Sequence, residues 1–274
     1  MSIEKLLEEK PISYYWMGFL LADGHFNSEK GFLRISLHEQ DSNHLEKLHK
    51  FLNLKKEIKI VRSKNQKTFS AYNKNVIKLI CSQFNISNRK TYNPPDFFPE
   101  MSDDLYLSML AGFIDGDGCI RNQTNRKDVI VMIKIHSSWL KWLAKLGERV
   151  TSQLGFNIPM PKINNTGYTS WFISNNLFIR KMKKRVEKLN LPILARKWDK
   201  IDLNQISNRE IEGLAFELHQ KGVSRKEIAS RLKINSDSLS KIFTRNGFYL
   251  RNIKNKKVGK WCHLNENNSE DNKD

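Results

Sequence analysis

SMLAGFIDGDGCI, residues 108–120, contains a conflict. An apolar run of helix-forming residues stops abruptly at Asp115-Gly116-Asp117-Gly118. A carboxylate in the last turn of a helix faces the negative end of the helix dipole, at a cost of a few tenths to about 1 kcal/mol. The conflict recurs upstream in YWMGFLLADGHF, residues 15–26, where Asp23-Gly24 closes the run. Two acids placed where local physics disfavours them ask for a shared reason.

Working outward, Ser13 is the expected N-cap of a helix from Tyr14 to Asp23, with Gly24 ending it. Ser102 or Asp103 can start a second helix that ends at Asp117, followed by Gly118. Each helix precedes a segment of period two, the pattern of a half-buried strand. In GFLRISLH, Leu33, Ile35 and Leu37 alternate with Arg34, Ser36 and His38; in VIVMIKIH, Val131, Ile133 and Ile135 alternate with Met132, Lys134 and His136. A helix carrying Leu45 and Leu48 follows the first, and one carrying Leu143 and Leu146 follows the second, at matching offsets. Strand-like sequence comes next (KIVRS and TFSAY, then YTSWFIS), followed by an apolar helix in each copy. One copy closes on ISNRK ending at Lys90, the other on ILARK ending at Lys197. The chain is therefore an internal duplication with the order helix-strand-strand-helix-strand-strand-helix, joined through YNPPDFFP.

The last quarter departs from that pattern. From about Asn208 it reads as three short helices, with turns at Gly222 and Asn235 and helix-turn-helix spacing of Ile228, Ala229, Leu232, Ile234, Leu239 and Ile242. Ser236, Ser238, Lys241 and Arg245 form the polar face expected to meet DNA. Beyond Leu250 the chain is basic, then acidic, and reads as a mobile tail. The expected divisions are a first half over 1–98, a second half over 99–205, the helix-turn-helix over 206–250 and the tail over 251–274.

A formal net charge of +18 over 274 residues favours a polyanionic partner, nucleic acid ahead of an acidic membrane surface. Three cysteines, Cys81, Cys119 and Cys262, are too few and too scattered for a disulfide framework or a zinc cluster. The run Trp16–Ala22 is far too short for a membrane span, and Met1-Ser2-Ile3-Glu4 does not open a signal peptide. An intracellular, soluble protein with no membrane partner is expected.

LAGFIDGDG, Leu110–Gly118, resembles the motif of the LAGLIDADG homing endonucleases, and WMGFLLADG, Trp16–Gly24, resembles it as a second, weaker copy. With the duplication and the Lys-terminated halves, the resemblance covers about residues 10 to 200. It implies an α+β fold, a tandem pseudo-twofold αββαββα core with saddle-shaped antiparallel sheets, to which the small all-α helix-turn-helix domain is appended. It implies a monomeric, site-specific endonuclease making a double-strand break by phosphodiester hydrolysis in a long, non-palindromic double-stranded DNA target. The final acids, Asp23 and Asp117, would bind Mg²⁺, with Mn²⁺ a substitute, over the scissile phosphate. The backbone carbonyls of Ala22 and Gly116 would be secondary ligands, and Lys90 and Lys197 match the family's active-site lysine.

The residues supply a physical reason for such an arrangement. Gly18 and Ala22 lie four apart, as do Gly112 and Gly116, so each helix has a face bare of bulk. Larger residues there would hold the helices at the usual separation of about 8–10 Å. Close approach brings Asp23 and Asp117 together, and two adjacent carboxylates at negative helix ends repel one another unless a cation joins them. Hard oxygen ligands suit Mg²⁺ or Mn²⁺.

The first copy departs from the motif in having Leu21 where the second has Asp115, which reads as local support rather than a ligand. His38 and His136 end equivalent strands and could touch the water shell of the site. On the strands, the polar positions expected to line a basic saddle in the major groove are Asn27, Arg34, Ser36, Arg62, Gln66 and Tyr72 in the first half. In the second they are Arg121, Gln123, Asn125, Lys134, Lys162 and Asn164, with Arg matched to guanine and Gln or Asn to adenine. Two other functions fit the same charge: a non-cleaving transcriptional regulator of this core plus helix-turn-helix type, and an RNA maturase that assists splicing of an intron RNA.

Overall fold

A computed structural model describes residues 3–54, 59–61, 65–96, 100–122, 129–203, 208–245, 248–253 and 256–263. The chain divides into two compact units, Met1–Leu203 and Asn204–Asp274. In the first unit one pattern is written twice. The first copy runs α1 (Pro11–Asp23), β1 (His25–Asn27), β2 (Phe32–His38), α2 (Ser42–Leu52), β3 (Lys59–Val61), β4 (Gln66–Tyr72) and α3 (Lys74–Gln83). The second runs α4 (Asp103–Asp117), β5 (Gly118–Asn122), β6 (Val129–His136), α5 (Leu140–Gln153), β7 (Lys162–Ile163), β8 (Tyr168–Ile173) and α6 (Asn176–Lys188), and a one-turn helix α7 (Ala195–Trp198) follows. The α+β order is the one expected from the sequence.

Each copy folds its strands into a 4-stranded antiparallel sheet, ordered β1-β2-β4-β3 in one and β5-β6-β8-β7 in the other. Register follows from the apolar alternation, because a slip of one residue would turn every apolar side chain to the other face. Leu33 pairs with Ala71 and Ile35 with Phe69; in the second copy Val131 pairs with Ile173 and Ile133 with Trp171, and all eight are buried. The intervening Arg34, Ser36, His38 and Lys134 are exposed.

The α1 and α4 helices lie at the centre of one hydrophobic core that spans both copies. Every residue from Ser13 to Leu21 is buried, as is every residue from Leu105 to Asp115. Helices covered on all sides carry no amphipathic stripe, so periodicity alone does not distinguish them from other apolar runs. The start of α1 corrects the sequence reading. Pro11 opens the helix after an extended Lys10, since proline fits the first turn, where no amide donor is needed. Ser13 lies inside the helix, wholly buried, and is not its cap. Ser102 does precede α4, without a side-chain capping bond.

Two glycines let the central helices touch backbone to backbone. A Cβ on Gly18 would overlap the carbonyl of Met109, and one on Gly112 would overlap the carbonyl of Tyr15. Likewise a Cβ on Gly116 would overlap that of Ala22.

The second unit packs α8 (Asn208–Gln220), α9 (Arg225–Arg231) and α10 (Ser236–Arg245) around Ala215, Ile228, Leu232, Leu239 and Phe243. Gly222 turns the chain at a φ of 74°, and the Asn235 side chain accepts from the Ser238 amide at 2.7 Å, so both expected turns are present. The expected mobile tail differs in part. Strands β9 (Phe248–Ile253) and β10 (Lys256–His263) pair antiparallel, with an irregularity between Lys257 and Trp261. Tyr249, Leu250, Val258 and Trp261 are strand-favouring residues that a reading by charge alone passes over. Among the described residues no helix is long and apolar enough to cross a membrane.

Candidate active site at the paired helix ends

Asp23 is the last residue of α1 and Asp117 the last of α4. The glycines that follow leave in extended conformation, Gly24 at φ −78° and Gly118 at φ −85°, rather than as left-handed caps. Glycine is required there by space: a Cβ on either would lie 2.5 Å from a helix carbonyl, that of Leu20 or of Ile114. Because the helices touch, the carboxyl carbon of Asp23 lies 3.5 Å from the place a Cβ on Gly116 would take. Asp23 is open to solvent on one side, yet the protein around the rest of it, and then the charge of Asp117, raise its pKa to about 6. Burial raises Asp117 as well, against the pull of Lys90 and Lys197.

Each helix end is completed by the lysine that closes its own copy. Lys90 Nζ donates to the carbonyls of Leu21 at 2.5 Å and Ala22 at 2.9 Å. Lys197 Nζ lies 2.9 Å from the carbonyl of Ile114, 2.6 Å from Asp115, 3.2 Å from Gly116 and 2.7 Å from Gly118. An ammonium on the last carbonyls of a helix is favoured by the dipole and satisfies acceptors that have no partner within the helix. Desolvation lowers the pKa of both, that of Lys90 to about 8; Asp117 and Asp23 oppose the shift at Lys90, and Asp115 with Asp23 and Asp41 opposes it at Lys197. The carbonyls expected to serve a metal, those of Ala22 and Gly116, are thus shared with these lysines.

Asp115 points away from the pair and into the core. Its carboxylate accepts from the Tyr15 hydroxyl at 2.6 Å, the Leu194 amide at 3.0 Å and the Trp198 indole at 2.8 Å. Burial raises its pKa and these donors oppose that. The Tyr15 oxygen in turn lies 2.9 Å from His44 Nε2. Since Tyr15 gives its proton to Asp115, His44 must donate through Nε2. Burial pushes the His44 pKa down to about 3, which keeps the ring neutral. This network fixes Leu194 and Trp198 on either side of Lys197, the support role read for Asp115. Leu21, at the matching place in the first copy, has no such bonds to give.

The chain segments bearing the lysines are each held by the opposite copy. The Thr91 carbonyl accepts from the Ser138 hydroxyl at 2.8 Å and from the Trp139 indole at 3.1 Å. Arg196 makes two bonds of 2.5 Å with Asp41, and Lys47 donates to the Ile193 carbonyl at 3.3 Å. Asp41 and Trp139 both lie three residues beyond the strand-end histidines. Neither Tyr15, His44, Asp41, Arg196, Trp139 nor Thr91 stands out in the sequence, since their partners are remote in the chain. Only the repeat itself, which aligns Asp41 with Trp139, carries a signal.

His38 and His136 cap the turns that follow their strands. Each accepts through Nδ1 from the amide two residues on, that of Gln40 or of Ser138, at 3.3 Å. Of the expected DNA-reading residues, Arg34, Ser36, Tyr72, Arg121, Lys134 and Lys162 are exposed on the sheets. Gln66 is half-buried opposite His38, and Ser36 bonds Thr68 at 2.8 Å. The Asn27 side chain accepts from the Lys30 amide at 2.7 Å and Asn164 from the Thr166 amide at 3.0 Å, so their oxygens are committed to turns. Arg62, Gln123 and Asn125 lie outside the described residues. In the second unit Ser236, Lys241 and Arg245 are exposed and Ser238 is half-buried, while Arg245 lies 3.3 Å from Glu212.

No family model and no curated protein matches this sequence. Among solved structures, the chain is similar to the I-LtrWI LAGLIDADG homing endonuclease bound to target DNA, at 15% identity and a TM-score of 0.46, over 90% of this chain and 99% of that one. It is similar to the LAGLIDADG homing endonuclease I-GzeII in complex with its DNA target, at 12% identity and a TM-score of 0.47, over 91% and 100%. It is also similar to the LAGLIDADG meganuclease I-AabMI bound to uncleaved DNA, at 16% identity and a TM-score of 0.45, over 85% and 96%. At such identities no residue's role carries across.

Proposed function

We propose that this chain is a divalent-metal-dependent, site-specific endonuclease that hydrolyses one phosphodiester bond in each strand of a long, non-palindromic DNA duplex, in the manner of the LAGLIDADG homing endonucleases it resembles. The observation that carries the reading is the pairing of Asp23 and Asp117 at the ends of two helices in backbone contact, each end capped by a lysine. A net charge of +18 supplies the attraction to a polyanion.

The residues present fit a hard cation. Among the described residues no cluster of three or more His, Cys, Asp or Glu side chains is assembled, so protein side chains would give two carboxylates. The remaining ligands would be the Ala22 and Gly116 carbonyls, which keep a second lone pair, with water and phosphate oxygens. Mg²⁺ or Mn²⁺ bound there would supply Lewis-acid charge and a more acidic water at the scissile phosphate. Asp23 and Asp117 hold and orient that charge. Lys90 and Lys197 neutralise the helix ends, so that the phosphate approaches a site without net repulsion. With its pKa near 8, Lys90 Nζ can also lend or take a proton at neutral pH. The exposed Arg34, Arg121, Lys134 and Lys162 would meet the groove, and α10 would add contacts from the second unit.

Selection of cleaved sites from a randomised duplex library in Mg²⁺ tests the proposal. Discrete cut sites that vanish for Asp23→Asn and Asp117→Asn, with duplex binding kept, are the expected result. Tight sequence-specific binding without cleavage would favour a regulator, and selective binding of structured intron RNA would favour a maturase.

A further inference from the structure

The two sheets share one topology, so their rows of side chains match strand for strand. In the first copy the row two residues beyond Asp23 is His25, Arg34 and Ser70, because His25 pairs with Arg34 and Arg34 with Ser70. In the second copy the row two residues beyond Asp117 is Cys119, Met132 and Phe172, by the same pairings. Both rows alternate with buried residues and so lie on the outward faces of their sheets.

Their chemistry differs. The first row forms hydrogen bonds: Arg34 Nε donates to Ser70 Oγ at 3.4 Å, and the guanidinium lies 5.3 Å from the centre of the Phe32 ring. The second row has no strong donor or acceptor. Cys119 and Phe172 are exposed, Phe172 at 44%, and Met132 is half-buried. Cations border this apolar row. Lys134 and Lys162 both pair with Ser170 in the next row on the same face, and Lys134 Nζ lies 5.0 Å from the centre of the Tyr168 ring.

A partner for such a surface must be anionic overall and apolar at isolated points. The major groove of DNA has that character, because its one apolar group is the thymine 5-methyl, set between phosphate walls. The geometry points to the Cys119–Met132–Phe172 row as a reader of thymine methyl groups in the half of the target met by the second copy. Its counterpart, His25–Arg34–Ser70, reads the other half through hydrogen bonds, with guanine suited to Arg34. The inference rests on the DNA-endonuclease reading above and gives it a definite asymmetry of base preference.

The test uses the full chain and binding rather than cleavage. Duplexes are selected from a randomised library in the absence of divalent metal, and each thymine of the best-bound duplex is then replaced by deoxyuridine, which removes only the methyl group. The expected result is a loss of about fourfold in affinity at one or a few thymines clustered on one side of the centre. In Phe172→Ser, and separately in Met132→Gln, thymine and deoxyuridine at those positions should bind alike. Equal tolerance of deoxyuridine everywhere would overturn the inference while leaving the endonuclease reading intact. So would sensitive thymines whose discrimination survives both substitutions. Failure to select any duplex would remove both readings. A DNA-free dimer in sedimentation that Phe172→Ser dissolves would show that the row serves a second copy of the chain instead.

Discussion

Lys197 has four backbone carbonyls within reach of three N–H bonds, and Lys90 has two. The acids at the two helix ends are tolerable because these ammonium groups reach the same carbonyls. Lys197→Met should therefore destabilise the fold by about 2 kcal/mol, after the relief of burying one charge fewer, and Lys90→Met by less, as measured by urea unfolding. Asp23 gives the pH dependence. Its folded pKa, about 6, is above the unfolded value near 4, so the folded state holds a proton that the unfolded state releases. Stability of the metal-free protein must then fall as pH rises from 4 through 6. Asp23→Asn mimics the neutral acid, so in chelator it should raise the melting temperature at pH 7.5 and lose that advantage by pH 4.5. Equal effects at both pH values would refute the coupling. The acids and the closing lysines were legible in the sequence because they recur in the repeat. That the lysines cap the helices was not, since each bond joins groups far apart along the chain.

At the scale of elements, the α1–α4 contact admits little change. A methyl group on Gly112 meets the Tyr15 backbone, which cannot rotate aside as a side chain would. Gly112→Ala should cost at least about 3 kcal/mol and lower the yield of folded protein, and Gly18→Ala should behave alike; thermal unfolding measures both. By contrast, Ala on the exposed Gly213 meets no atom within 4 Å and should be tolerated. The strands were legible by alternation, and α2, α3, α5 and α6 by their one apolar face. The start of α1 was not, because Ser13 has the chemistry of a cap while Pro11 fixes the boundary. Strands β9 and β10 were not legible because the surrounding run of Arg251, Lys254, Lys256, Lys257 and Lys260 reads as charged tail, which hides the strand-favouring residues between them.

Across the whole molecule, two separate cores underlie two units. A chain ended at Leu203 should keep a cooperative unfolding transition, because no core residue of the first unit belongs to the second. Binding to duplex should weaken linearly with the logarithm of salt concentration, since each phosphate contact releases counterions. If α8–α10 touch DNA, the shortened chain should show a shallower slope in a titration over salt, and an unchanged slope would assign the second unit another task. The duplication and the three-helix unit were legible here because each is a pattern repeated over many residues. Specific polar contacts are not patterns of that kind.

The lysine of each copy is held in place by the other copy, Thr91 by Ser138 and Trp139, Arg196 by Asp41. Inheritance feels that arrangement. After duplication the two copies were free to diverge in the surfaces they show outward, but not in the places where each steadies its twin. Across descendants, Asp41 and Arg196 should be gained and lost together. A chimera that joins this first copy to a foreign second copy should fold yet misplace a lysine, until the position matching Arg196 is restored to arginine.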